Sequence, residues 1–175
     1  VLDQSEGTSD QERVDLDGLE AGIYYVHVYG YGDATNHYRL RFDVPWIADD
    51  AYESNNSRSL VDAHPAGGPN SPNLGPVSGV LVIDELAMTA DSEDWFRFET
   101  ASPGRRGDHV RIEFSHASGD QDLELLDANG HAIDDSASTT DDETLSLYGL
   151  PAGTYYARVH GYDDATNPSY RLRIQ

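Results

Sequence analysis

The chain has 175 residues, of which 32 are acidic and 11 are basic, and its formal net charge is −21. This charge repels nucleic-acid phosphates and anionic membrane surfaces, so we expect neither as a partner. The absence of cysteine excludes disulfides and thiolate metal sites. No apolar run reaches the length of about 20 residues that a membrane span needs. All the basic residues are arginine, and a lysine-free, Asp-rich surface is typical of a saline or calcium-containing medium.

A duplicated stretch organises the chain. Residues 18–42 (GLEAGIYYVHVYGYGDATNHYRLRF) correspond to residues 149–174 (GLPAGTYYARVHGYDDATNPSYRLRI), and 23 of the first 42 residues are identical to their counterparts. The copies are 131 residues apart, or 132 after the inserted Ser169, which indicates an internal repeat. The first copy has counterparts only of residues 132–174. We therefore expect residues 1–43 to be the C-terminal half of a module, with the remainder supplied by upstream sequence or by a partner.

In the first copy, residues 12–16, 23–29 and 38–42 are predicted strands, because apolar and polar residues alternate along them. Residues 44–50 are the predicted linker. The Pro- and Gly-rich residues 64–79 are predicted to form a loop.

Residues 51–175 are predicted to form one complete module with no helical periodicity. Its strands are expected near residues 80–83, 94–98, 109–114, 122–126, 131–135, 143–148, 154–160 and 169–174. The alternation predicts that the following side chains point inward: Phe96, Phe98, Val110, Ile112, Phe114, Leu123 and Leu125. Eight or so short strands separated by turns predict an all-β fold, namely an antiparallel, jelly-roll-like β-sandwich.

Four segments carry a resemblance to a known family. In chain order they read DDAYESNNS, DSEDWFRF, GDQDLELLDANG and LPAGTYYARVHGYDDATNPSYRLRI. They resemble the bacterial pre-peptidase C-terminal domain, to which the collagen-binding domains of secreted clostridial collagenases are related. The resemblance covers residues 49–174 in full and residues 1–42 as a C-terminal half. It implies a secreted β-sandwich, usually C-terminal to a protease or other exported enzyme and often in tandem, without catalytic activity of its own.

The resemblance also implies a calcium site. Calcium prefers six to eight oxygens from carboxylates, amides and carbonyls. The residues that match the ligands of collagen-binding relatives are Glu53, Asn55, Asn56, Asp91 and Asp94. Asn56 stands where the family often has Asp, and Asp49 and Asp50 would offset the missing charge. The alternative is a solvated loop in which Asn55 and Asn56 form Asx turns.

Outward-pointing aromatic residues mark a second candidate site. Tyrosine combines a large contact area with a polar tip, which suits interfaces. These side chains contact either a ligand or a neighbouring module, or they pack across strands. Two apolar linker residues are also expected to pack against a module. The predicted contact residues are Tyr25, Tyr29, Tyr31, Trp46, Ile47, Tyr156, His160 and Tyr162.

The sequence has no HExxH or GxSxG motif, so we predict that it is not an enzyme. The first functional hypothesis is a secreted, calcium-stabilised repeat module that assembles with neighbouring copies of itself into a filament or surface fibre. The alternative is a binding module that attaches a secreted protease or other exported enzyme to collagen, polysaccharide or the cell surface. Both hypotheses place the protein outside the cell.

Overall fold

The computed structural model describes residues 1–16, 19, 24–42, 47–90 and 92–175. Contacts divide the chain into two compact units, Val1–Trp46 and Ile47–Gln175. Within the described residues, no helix is long and apolar enough to cross a bilayer.

In its described part, the Ile47–Gln175 unit contains nine strands and one short helix, α1 (Arg58–Ala63). The strands are β1 (Asn73–Val77), β2 (Leu81–Met88), β3 (Glu93–Thr100), β4 (His109–Phe114), β5 (Gln121–Asp127), β6 (Ala132–Ser136), β7 (Asp142–Ser146), β8 (Gly153–Gly161) and β9 (Asn167–Ile174). They form a five-stranded sheet, in the order β1-β3-β8-β5-β6, and a four-stranded sheet, in the order β2-β9-β4-β7. The two sheets pack as a sandwich, which confirms the predicted fold class. The pair β1–β3 is parallel, and the other pairs are antiparallel.

The core lies between the two sheets and is built by residues that alternate along each strand. Phe96 and Phe98 of β3, Ile112 of β4 and Leu125 of β5 have no exposed surface. Burial of an apolar side chain of this size contributes about 1.5–3 kcal/mol to folding. All seven side chains of residues 51–175 that the alternation predicts to point inward are buried, which confirms this part of the prediction. The same alternation places Tyr38, Leu40 and Phe42 of the first copy inward, and this is wrong because all three are exposed.

The prediction of a loop throughout residues 64–79 is wrong, because β1 lies within it. β1 pairs with the edge of β3, and a side-chain network secures the pair. The Asn73 amide donates to the carbonyl of His64 at 3.1 Å, and its oxygen accepts from Arg97 of β3 at 3.0 Å. Pro76, which lacks a backbone N–H, is compatible with this position because β1 is an edge strand, and the backbone groups on its outer edge need no hydrogen-bond partner in the sheet.

Helix α1 was also not predicted. Ser57 caps it by accepting a hydrogen bond from the backbone N–H of Leu60 at 3.4 Å. Val61 is the fully buried side chain of this helix. A helix of six residues is too short to show a 3.6-residue period in the sequence.

The three strands predicted in the first copy are not present among its described residues. Residues 24–30 and 34–42 have no regular structure, and a 3-10 turn at Tyr31–Asp33 separates them. In the second copy, β8 pairs with β3 and β5, and β9 pairs with β2 and β4. Residues 1–42 contain no counterpart of β2 to β5, so the same sequence has no strands of its own copy to pair with.

Replacing Phe98 with alanine is expected to lower the free energy of unfolding of the sandwich by about 3–5 kcal/mol, because the cavity cost adds to the lost burial. Tyr148→Ala removes an aromatic ring that is exposed and should change the free energy by only about 0.5 kcal/mol. Urea denaturation of the two variants checks this, and equal losses would contradict the assigned core.

Candidate cation site and contact surfaces

An acidic cluster lies at the start of β3. Asp94 is completely buried there, and burial is the main cause that raises the pKa of its carboxyl to about 8. The hydroxyl of Tyr170 donates to Asp94 and lowers this pKa. The negative charges of Asp50, Glu53 and Asp49 raise it further. The cluster therefore concentrates negative charge around a buried carboxyl group, an environment that favours a cation.

Three backbone segments meet at this cluster. The backbone N–H of Trp95 donates to the carbonyl of Asn55 at 3.0 Å, which places the 53–55 segment beside the start of β3. The backbone N–H of Ala87 in β2 donates to the Asp50 carboxylate at 3.0 Å. Asn55 is completely buried. The local fold thus fixes an amide and several carboxylates that are far apart in sequence.

The side-chain amide of Asn55 lies against the Glu53 carboxylate. Its amide nitrogen donates to both Glu53 carboxylate oxygens at 3.1 Å in the orientation that satisfies the hydrogen bonds of the amide. Burial is also the main cause that raises the pKa of Glu53, and the nearby charges of Asp50 and Asp49 raise it further. This set of hard oxygen donors fits calcium.

The structure brings four of the six predicted calcium ligands into one cluster: Asp50, Glu53, Asn55 and Asp94. Asn56 is exposed, and Asp91 lies outside the described residues. Within the described ranges, no three carboxylates or imidazoles converge closely enough to form a complete metal site by themselves. The calcium site therefore stays a prediction.

The outer face of the five-stranded sheet carries an ion-pair network that sequence reasoning missed. Arg158 of β8 donates to Glu93 at 3.0 Å and to Glu124 at 2.9 Å. Its guanidinium also lies over the ring of Trp95, at 5.6 Å from the centroid. The pairs join β8 to β3 and β5 across sequence separations of 65 and 34 residues, which no local pattern reveals. This face is therefore more polar than the predicted aromatic stripe.

The prediction that Tyr156 is an outward contact residue needs a correction. Tyr156 lies on the outer face as predicted, but it is only 3% exposed. Its hydroxyl donates to Asp62 of α1 at 2.6 Å, and Arg58 of α1 lies over its ring. Helix α1, which the sequence did not predict, covers this tyrosine. Tyr156 therefore has little free surface for a ligand.

The other predicted contact residues differ in accessibility. Tyr162 is exposed, whereas His160 is partly buried at 4.0 Å from Asp122. Ile47 is partly buried, and Trp46 lies outside the described residues. The first-copy tyrosines are exposed: Tyr25, Tyr29 and Tyr31. Because they are exposed, these tyrosines can contact a ligand or a neighbouring module, and this role stays a prediction.

An open hollow of about 580 Å³ lies at one end of the sandwich. Arg105 and Arg106 line it, together with apolar side chains such as Val80 and Leu147. In the part of the chain that the structure describes, neither arginine forms an ion pair. The hollow therefore offers two arginines without an ion pair, although the carboxylate of Asp108, which accepts from the backbone N–H of Arg105 at 2.7 Å, also lines it. The only sequence signal for it is a pair of adjacent arginines between glycines.

Tyr170→Phe is expected to lower the free energy of unfolding by about 1–3 kcal/mol in chelator, because the buried Asp94 loses its hydroxyl donor. Tyr148→Phe removes an exposed hydroxyl and serves as the matched control. Chemical denaturation of both variants measures the difference. Equal stability of Tyr170→Phe and the unmodified protein would contradict this contact.

Comparisons with known proteins show which family part of the chain is similar to. Residues 92–161 match the family described as bacterial pre-peptidase C-terminal domain. One similar solved structure is the pre-peptidase C-terminal domain of collagenase from Bacillus anthracis, with 15% sequence identity and a TM-score of 0.43. That similarity covers 55% of this chain and 88% of the other. No curated protein matches the chain. Domains of this family are typically non-catalytic C-terminal modules of secreted bacterial peptidases. Residues 92–161 are thus similar in sequence to a bacterial pre-peptidase C-terminal domain.

Proposed function

We propose that the sandwich is a binding module that attaches a secreted enzyme to an extracellular polymer. The observation that carries this proposal is the family match of residues 92–161, because such domains are typically appended to secreted bacterial peptidases. The same observation favours an appended module over a filament-forming array, and it supports an extracellular location. A module that localises an enzyme needs a stable scaffold and a contact surface, but no catalytic group.

The net charge of the chain limits which extracellular polymers the module can bind. A net charge of −21 repels acidic polysaccharides, so a neutral polysaccharide or a protein fibre suits the protein better. The sequence resemblance to collagen-binding domains makes collagen the first fibre to test. The hollow beside Arg105 and Arg106 and the exposed Tyr162 are the candidate contact surfaces. Arginine and tyrosine are both enriched in binding interfaces.

Calcium stabilises this module in our proposal. Asp50, Glu53, Asn55 and Asp94 would hold the ion, and the ion would supply positive charge to a cluster in which neighbouring carboxylates raise the pKa of Glu53 and of Asp94. Because these residues come from the 50–55 segment and from β3, a shared ion would join parts of the chain that are distant in sequence.

Excess calcium is expected to raise the melting temperature of the full chain by several degrees relative to chelator. A ligand that binds only the folded state adds about 2.7 kcal/mol at a concentration of 100 times its Kd. Glu53→Gln and Asp94→Asn should each remove most of this shift. Asp134→Asn, which removes an exposed carboxylate on β6, should retain it. Coincident melting curves of the unmodified protein in calcium and in chelator would contradict the proposal.

Attachment to a polymer is tested by co-sedimentation of the full chain with collagen fibrils and, separately, with cellulose as a neutral polysaccharide. We expect the chain to pellet with one of them at micromolar concentration, in the range of specific but reversible binding. The double variant Arg105→Ser/Arg106→Ser should weaken this binding if the hollow takes part, whereas Arg13→Ser, in the other unit, should not. If the chain stays in the supernatant with both polymers, the proposal fails.

A further inference from the structure

The first copy exposes the side chains that form the core in the second copy. Residues of the first copy with large exposed fractions are Tyr24 (40%), Val28 (47%), Tyr38 (69%), Leu40 (49%) and Phe42 (61%). Their counterparts are buried and at most 5% exposed: Tyr155, Val159, Tyr170, Leu172 and Ile174. The unit Val1–Trp46 therefore presents an apolar face whose counterpart in the repeated sequence is buried.

Short-range contacts are the same in the two copies. The hydroxyl of Ser5 donates to Glu12, as the hydroxyl of Ser136 donates to Glu143. The backbone N–H of Ala34 closes a 3-10 turn on the carbonyl of Tyr31 at 3.1 Å, and the equivalent N–H of Ala165 closes one at 3.0 Å. The first copy therefore shares these two local contacts with the second, while its described residues form no strand pairing.

The second copy shows what covers these side chains. Strands β2 to β5 flank β8 and β9, and they bring Phe96, Phe98, Leu123 and other core residues over them. Asn167 donates to two backbone carbonyls of the segment between β4 and β5, those of Ser115 at 3.1 Å and Gly119 at 2.8 Å. Asn36 is the counterpart of Asn167 in the first copy.

We propose that residues 1–42 bind the front half of a module of this same fold, that is, a partner segment equivalent to β1–β5, and complete a second sandwich with it. The partner supplies strands on both sides of residues 24–29 and beside residues 38–42. It also supplies backbone carbonyls for Asn36 and a carboxylate for the hydroxyl of Tyr38, the counterpart of Tyr170. Binding and folding are coupled, because the two segments become strands only when they pair.

The first copy is also poorly matched to the front half of the adjacent module, residues 51–131. In the second copy, Arg158 joins Glu93 of β3 and Glu124 of β5. The first copy has His27 at that position, and a neutral imidazole has one N–H donor, whereas the guanidinium of Arg158 binds both carboxylates at once. Residues 51–131 would therefore leave both carboxylates poorly paired against the first copy. In solution, a front half without this pair of glutamates therefore suits the first copy better than residues 51–131 of a second chain, although residues 51–131 still pair with it when they are fused to it.

The test is a fusion that places an additional copy of residues 51–131 directly before Val1 of the full chain. Val1 corresponds to Ala132, so the fusion reproduces the strand order of the complete module. Amide hydrogen exchange of residues 24–29 and 38–42 is compared in the fusion and in the unfused chain. We expect exchange in the fusion to be slower by a factor of about 1,000, together with a second melting transition. Equal exchange in the two proteins, or protection already present in the dilute unfused chain, would overturn the proposal.

Variants of the fusion separate pairing from non-specific collapse. Leu40→Ser should abolish the added protection, whereas Arg39→Ser, one residue away on the opposite face, should retain it.

His27→Arg should raise the second melting transition by a few degrees, and His27→Gln should not. An unchanged transition in His27→Arg would overturn the selectivity. Protection of the unfused chain that rises with its concentration would identify a second copy as the partner and overturn the commitment to a different front half. All of these readouts are measured in chelator and without a polymer ligand, so their failure is distinguishable from failure of the proposed function.

Discussion

Pairing of β8 with β3 on one side and β5 on the other is the interaction on which the sandwich depends. It places β8 at the centre of the five-stranded sheet and buries Tyr155, Ala157 and Val159 along one face. The first copy repeats much of this strand, including Tyr24 and Val28, yet forms no strand in its described part. Strand propensity is therefore insufficient, and non-local pairing decides the structure.

The sequence predicted those parts of the fold that depend on local pattern. Period-two alternation placed Phe96, Ile112 and Leu123 inside, because a buried face leaves the same signal in any strand. β1 could not be read in this way, since it depends on a parallel partner and on the Asn73–Arg97 contact. Helix α1 is shorter than the window in which a helical period becomes visible.

For the candidate site, too, the sequence predicted some residues and missed others. Family resemblance singled out Glu53, Asn55 and Asp94, and the structure brings them together. It gave no role for the hydroxyl of Tyr170, which reaches Asp94 across 76 residues of sequence. It also missed the ion pairs of Arg158, because acidic residues are so frequent in this chain that no single one marks a partner.

The front and back halves of the module contribute different sources of stability. The carboxylates and the amide of the candidate cation site all precede residue 131, so they belong to the front half of the module. The back half contributes apolar strands and, through Tyr170, one hydroxyl to that cluster. The first copy contains only back-half counterparts, including Tyr38, and therefore has the apolar face without the acidic cluster. A cation at the proposed site would stabilise such a half only through the front half that pairs with it, and it would thereby couple ion binding to strand pairing in a complete module.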